Sequence, residues 1–172
     1  DFDFEYFKTH VQRLKPAVVY YMYSGLSDRG DGNGGQDLAD FVTWCRKHGC
    51  ITIVDSHTLT GNPQELIGKG TPVPAYRLLI PLQGELDIFF TSADEAKMIR
   101  NTLQPEFRRQ GHGDRDSIPN LLDFITAFLG AKDAGRAQLF GITVSNGAYA
   151  ALVGAGSRAG KPVFCLSRFM AG

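Results

Sequence analysis

Ser92 and Glu95 are the pair whose types and spacing bear most directly on chemistry. They follow the apolar run Leu86-Asp87-Ile88-Phe89-Phe90-Thr91, so the segment reads as a strand that breaks into a helix start. At such a start the unpaired backbone N–H groups turn outward and suit an anion held near a carboxylate-bound metal. Ser-x-x-Glu is equally the capping box, in which the two side chains satisfy the helix's own orphan donors. The local sequence by itself favours the cap.

Asp55 is the next candidate, because it stands at the carboxyl end of the apolar strand Ile51-Thr52-Ile53-Val54. Gly30, Gly32 and Gly35 fit the spacing of a dinucleotide fingerprint, with Asp55 about twenty residues further on as the ribose-binding acid. Against that reading, Ser24 to Arg29 separate the glycines from the preceding strand, and Asp31 would put a carboxylate beside a pyrophosphate. Cys45-x-x-His48-x-Cys50 brings soft ligands together, but Cys45 falls on the inner face of its helix and no fourth ligand is near, which favours buried thiols over a metal. Gly154 to Lys161 imitates a phosphate-binding loop out of register, and Pro162 bars a helix after Lys161. Ser145 is no hydrolase nucleophile: Thr143 replaces the first glycine of the elbow and no histidine follows. Asn146-Gly147 suits a tight turn that needs positive φ.

The elements that must position these residues alternate. Phe4, Phe7, Val11 and Leu14 mark one face of a helix closed at Lys15-Pro16. Ala17 to Tyr23 is a continuous apolar run rich in β-formers, as expected of a strand covered on both faces. A helix from about Gly35 to His48 turns Leu38, Phe41, Val42 and Cys45 inward, carries Asp37 and Asp40 early and Arg46, Lys47 and His48 late, and has Gly49 past its end. Strands follow at Ile51–Asp55 and Asp87–Thr91, with irregular chain from Gly61 to Pro74 and a helical stretch over Ala75–Leu82 that Pro81 interrupts. A helix runs from Ser92 to about Leu103. Gln104 to Asp116 has the composition of an exposed loop. Ser117 caps a further helix ended by Gly130. Leu139–Val144, Tyr149–Val153 and Pro162–Leu166 are then strands joined too closely for helices. The expected fold is α/β, a three-layer Rossmann-like, mostly parallel sheet flanked by helices, with antiparallel strands at the carboxyl end.

Composition narrows the function. With 172 residues the chain reads as a single domain, and 18 basic against 18 acidic residues leave no field to gather nucleic acid or an acidic membrane. No apolar run has the length of a membrane span. The acidic start Asp1-Phe2-Asp3-Phe4-Glu5 is unlike a signal peptide, and three cysteines cannot close a disulfide framework. Together these give the expectation of a cytoplasmic protein. Asp1 in place of an initiator methionine suggests an excerpt of a longer chain.

The order Tyr23-Ser24-Gly25, Ile53-Val54-Asp55, Leu86 to Ala96 and Ile142-Thr143-Val144-Ser145-Asn146-Gly147-Ala148-Tyr149-Ala150 resembles the central and nucleotide-side part of the PfkB (ribokinase-like) carbohydrate kinases over nearly the whole chain. The resemblance implies ATP-dependent phosphorylation of a hydroxyl on a sugar, nucleoside or similar small molecule, with Mg²⁺, and a homodimeric full-length parent. It implies that Glu95 acts on the metal through water, that Ser92 faces phosphate oxygens, that Ser145, Asn146 and Gly147 border the nucleotide phosphates and that Asp55 lies on the substrate side.

The chain departs from the family in several places. Ser92 stands for the family's asparagine, His57 for the asparagine after Asp55 and Ala150 for the last glycine of the nucleotide loop. No residue here is assigned as catalytic: the Gly-Ala-Gly-Asp segment that carries the family's base would lie beyond Gly172, and the substrate-binding strands and lid would precede Asp1. Residues 1–172 would then be one partial domain. A non-catalytic nucleotide- or sugar-binding module of the same fold is the alternative, and an NAD(P)-binding domain using Gly30, Gly32, Gly35 and Asp55 is a further one.

Overall fold

Local sequence accounts for where the chain turns. The computed structural model describes residues 3–23, 32–57, 72–104, 117–131, 136–144, 147–153 and 163–166. Helix α1 (Phe4–Leu14) starts where Asp3 Oδ1 accepts from the Glu5 and Tyr6 N–H groups, at 2.9 and 3.4 Å. It ends where Lys15 takes the left-handed conformation ahead of Pro16. Strand β1 is Val18–Met22 and helix α2 is Gln36–Lys47. Strand β2 is Ile51–Asp55, and a 3₁₀ stretch, Pro74–Leu82, contains Pro81. Strand β3 (Ile88–Ser92) runs straight into helix α3 (Ala93–Leu103). Helix α4 (Ile118–Leu129) precedes strands β4 (Gln138–Val144), β5 (Gly147–Val153) and β6 (Val163–Leu166). Residues 58–71 and 105–116, expected as irregular chain and loop, lie outside the described residues.

The strands form one sheet in sequence order, parallel from β1 to β4 and antiparallel from β4 to β6. The expected parallel sheet with an antiparallel carboxyl-terminal extension is therefore present. Because each parallel neighbour is the next strand along, right-handed crossovers put α2, the 3₁₀ stretch and α3 with α4 on one side. On that side Val54, Phe89, Phe140 and Ile142 meet Leu38, Leu79, Ile99, Leu122 and Ile125, all fully or nearly fully buried. A buried Leu or Phe contributes roughly 1.5–3 kcal/mol relative to an exposed one, so this interface dominates stability.

The other side differs from the expectation of strands covered on both faces. Val18, Tyr20, Met22, Ile51 and Leu152 are between 44% and 55% exposed. The register places Tyr20, Ile53, Ile88, Leu139 and Leu152 in one continuous apolar row across five strands. Among the described residues the helices lie on one face only.

Register is pinned at the amino end of β3. Asp87 Oδ2 accepts from both the Thr52 N–H and hydroxyl at 2.9 Å, and Asp87 Oδ1 lies 3.3 Å from Arg136 Nε. Arg136 also donates to the Leu86 carbonyl. A one-residue slip would break all of these and turn Phe89 out of the core, so the same contacts fix what reaches the far edge.

Candidate functional site at the carboxyl edge of the sheet

Parallel strands end together, so the carboxyl ends of β2, β3 and β4 share one edge. Asp55 pairs with Phe90, and Ser92 pairs with Thr143. Asp55 and Ser92 thus lie along the same edge, as parallel pairing requires, and Gly147 opens β5 opposite Val144 beside them. Ser145 and Asn146 lie outside the described residues.

Ser92 ends β3 and caps α3. Its hydroxyl accepts from the Glu95 N–H at 3.2 Å, and its own N–H donates to Glu95 Oε2 at 3.0 Å, so the reciprocal capping box is formed. The carboxylate does more than cap. Glu95 is only 6% exposed, and Ser56 and Thr91 beside it are fully or nearly fully buried. The Ser56 hydroxyl lies 2.8 Å from Thr91 Oγ1 and 3.4 Å from Glu95 Oε2, and Thr91 Oγ1 lies 3.5 Å from the same oxygen. A hydroxyl has one proton to give, so the consistent chain runs from Ser56 to Thr91 to Glu95. A buried carboxylate requires such donors or a cation, and here hydroxyls and a helix N-terminus supply them.

Asp55 belongs to the other face of the edge. It continues the row of Ile51 and Ile53, and its Oδ2 accepts from the Tyr20 hydroxyl at 3.2 Å across β1. Its Oδ1 accepts from the His57 N–H at 3.0 Å, in a turn that holds His57 at a φ of 39°. Burial, reinforced by the charge of Asp55 and its hydrogen bond, raises the Tyr20 phenol above its ordinary pKa. Side chains at 55 and 56 alternate across the sheet, so Asp55 and Glu95 approach the edge from opposite faces. Ser56, which links β2 to Glu95, was missed by sequence reasoning. Its only signal is a hydroxyl residue directly after the strand-ending Asp55.

The glycine-rich segment before α2 is built differently from a phosphate loop. Gly30 lies outside the described residues. Asn33, Gly34 and Gly35 all have positive φ, and a Cβ on Gly35 would come within 2.3 Å of the Leu78 carbonyl oxygen. Asn33 donates to Asp37 Oδ1 at 2.7 Å, and a Cβ on Gly32 would meet Asp37 Oδ2 at 2.3 Å. The glycines thus serve a tight turn packed against Leu78, and a carboxylate already sits at the start of α2.

Mg²⁺ takes hard oxygen ligands and retains several waters, so one carboxylate together with ligand phosphates is a sufficient protein contribution. Among the described residues no three His, Cys, Asp or Glu side chains group to hold a metal by themselves. Comparison with protein-family models, curated proteins and solved structures finds no match. No helix among the described residues is long and apolar enough to cross a membrane.

Proposed function

We propose that the chain is the nucleotide-side core of an ATP-dependent small-molecule kinase of the PfkB (ribokinase-like) type. The observation that carries this reading is the N-terminus of α3, where a carboxylate with hydroxyl donors around it stands at the carboxyl edge of a parallel sheet. Open α/β sheets bind ligands at that edge, and a helix N-terminus suits phosphate. Glu95 would orient water on Mg²⁺, and the ion would neutralise charge on the transferring phosphoryl group. Ser92 and the first turn of α3 would face phosphate oxygens, Ser145, Asn146 and Gly147 would border the nucleotide, and Asp55 would meet the acceptor from the open face of the sheet. The acceptor class is a sugar or nucleoside hydroxyl.

A binding module of the same fold that holds nucleotide without transfer is the second reading. Its support is Ser92, whose hydroxyl reaches less far than an asparagine amide. The dinucleotide reading is less well supported, because Asp37 occupies the place a pyrophosphate would need.

Differential thermal stabilisation separates the two ATP-binding readings from the dinucleotide reading. MgATP in excess over its Kd should raise the unfolding temperature, and NAD at the same concentration should leave it unchanged. The reverse order would move the function to the glycine-rich turn.

A further inference from the structure

The end of α2 brings two thiols together. Gly49, at a φ of 85°, lets its N–H reach the Arg46 carbonyl at 2.9 Å and the Cys50 N–H reach the Cys45 carbonyl at 3.1 Å. This is the Schellman arrangement, in which the residue after the glycine turns back onto the last helical turn and usually makes an apolar contact there. Here both contact positions are cysteines, Cys45 fully buried and Cys50 5% exposed, and both are free thiols. Standard peptide dimensions and that hydrogen bond hold the two Cα atoms within about 7 Å, close to the span of about 4.4–6.8 Å that disulfides bridge.

We propose that Cys45 and Cys50 are a slow-reacting dithiol that closes to an intrachain disulfide when the folded protein meets a small-molecule disulfide such as oxidised glutathione. Access is from the Cys50 side. A cavity of about 520 Å³ opens there, lined by Val11, Lys15, Pro16, His48 and Cys50 among others, and the Lys15 ammonium favours an approaching anion such as glutathione.

The Cys50 thiolate attacks one sulfur of the glutathione disulfide, and the first glutathione leaves as a thiolate that takes up the proton Cys50 gave up. Cys45 then attacks the Cys50 sulfur and expels the second glutathione in the same way. Two protein thiols are oxidised by two electrons, and one glutathione disulfide is reduced to two thiols.

A metal is the weaker use of the pair. The His48 ring stacks on Trp44 with centroids 3.9 Å apart, and its Nδ1 lies 2.8 Å from the Trp44 carbonyl oxygen. Burial, with the neighbouring Cys50 adding to it, pushes the Cys45 thiol up to about 12, and burial raises the Cys50 thiol as well. Both are protonated at neutral pH, so the exchange is slow and is best followed near pH 8.5.

Trypsin distinguishes the outcomes, because Arg46 and Lys47 lie between the two cysteines. The folded chain is incubated with oxidised glutathione, remaining thiols are alkylated, and the digest is analysed by mass spectrometry without reduction. The expected product is residues 30–46 joined by a disulfide to residues 48–69, about two mass units lighter than the two reduced peptides together. A Cys165→Ser variant should give the same linked pair. Alkylation of both Cys45 and Cys50 after prolonged oxidation overturns the proposal. So does a stable glutathione adduct on Cys50 with Cys45 alkylated, or linkage of either residue to Cys165 in the folded chain.

Discussion

Glu95 has a capping role whether or not it has any other, and its two roles respond differently to substitution. Glu95→Ala removes the acceptor for the Ser92 N–H and for the Thr91 hydroxyl, both in largely buried surroundings. Leaving buried donors unpaired should cost about 1–3 kcal/mol in urea unfolding. Ser56→Ala deletes the hydroxyl that donates to Thr91 and should cost about 1 kcal/mol by the same assay, because Thr91 can still reach Glu95. A loss under Glu95→Ala no greater than under Ser56→Ala would mean that the carboxylate is not the centre of this network. Tyr20 gives a pH dependence whose sign follows from its partial burial and its contact with Asp55. Its phenol pKa is raised on folding, so the stabilisation it lends is present below its unfolded pKa of about 10 and is lost as pH rises through the higher folded value. The unfolding midpoint of Tyr20→Phe should therefore fall less steeply above pH 10 than that of the wild type.

At the scale of elements, the two faces of the sheet should answer mutation unequally. Phe89 is fully buried against the helices, whereas Ile51 is 48% exposed on the far side. Phe89→Ala should cost about 3–5 kcal/mol and Ile51→Ala under about 1.5 kcal/mol, measured by urea unfolding. Gly141 tests how the faces are packed: a Cβ there would come within 2.5 Å of Phe90 Cδ1, so Gly141→Ala must push the ring aside and should cost about 1–3 kcal/mol. Much of this was legible in the sequence. The periodicity of Leu38, Phe41, Val42 and Cys45 and the Gly49 stop gave α2 to within a residue at each end, and Ser92 to Glu95 announced α3. The half-exposed face of β1 was not legible, because Ala17 to Tyr23 reads as a strand buried on both sides and nothing local to a strand reports what packs on it. The early start of β5 at Gly147 was also hidden, since Asn-Gly signals a turn wherever it stands.

For the whole molecule, register carries information from one edge of the sheet to the other. The Asp87 contacts with Thr52 and Arg136 at the amino edge set which residues of β2 and β3 end beside each other. That setting brings Ser56 to Thr91 and Glu95 and leaves Asp55 with Tyr20. The chain carries no net charge, so no general positive field gathers phosphate-bearing ligands. The most direct test of the central claim is calorimetric titration of MgATP into the wild type and Glu95→Gln. The wild type should bind, and the variant should keep its fold but bind at least about tenfold more weakly, a difference of about 1.4 kcal/mol, with the loss confined to the Mg²⁺-containing titration. Equal affinities would leave Glu95 as a helix cap alone, and no binding to the wild type would contradict the nucleotide site itself.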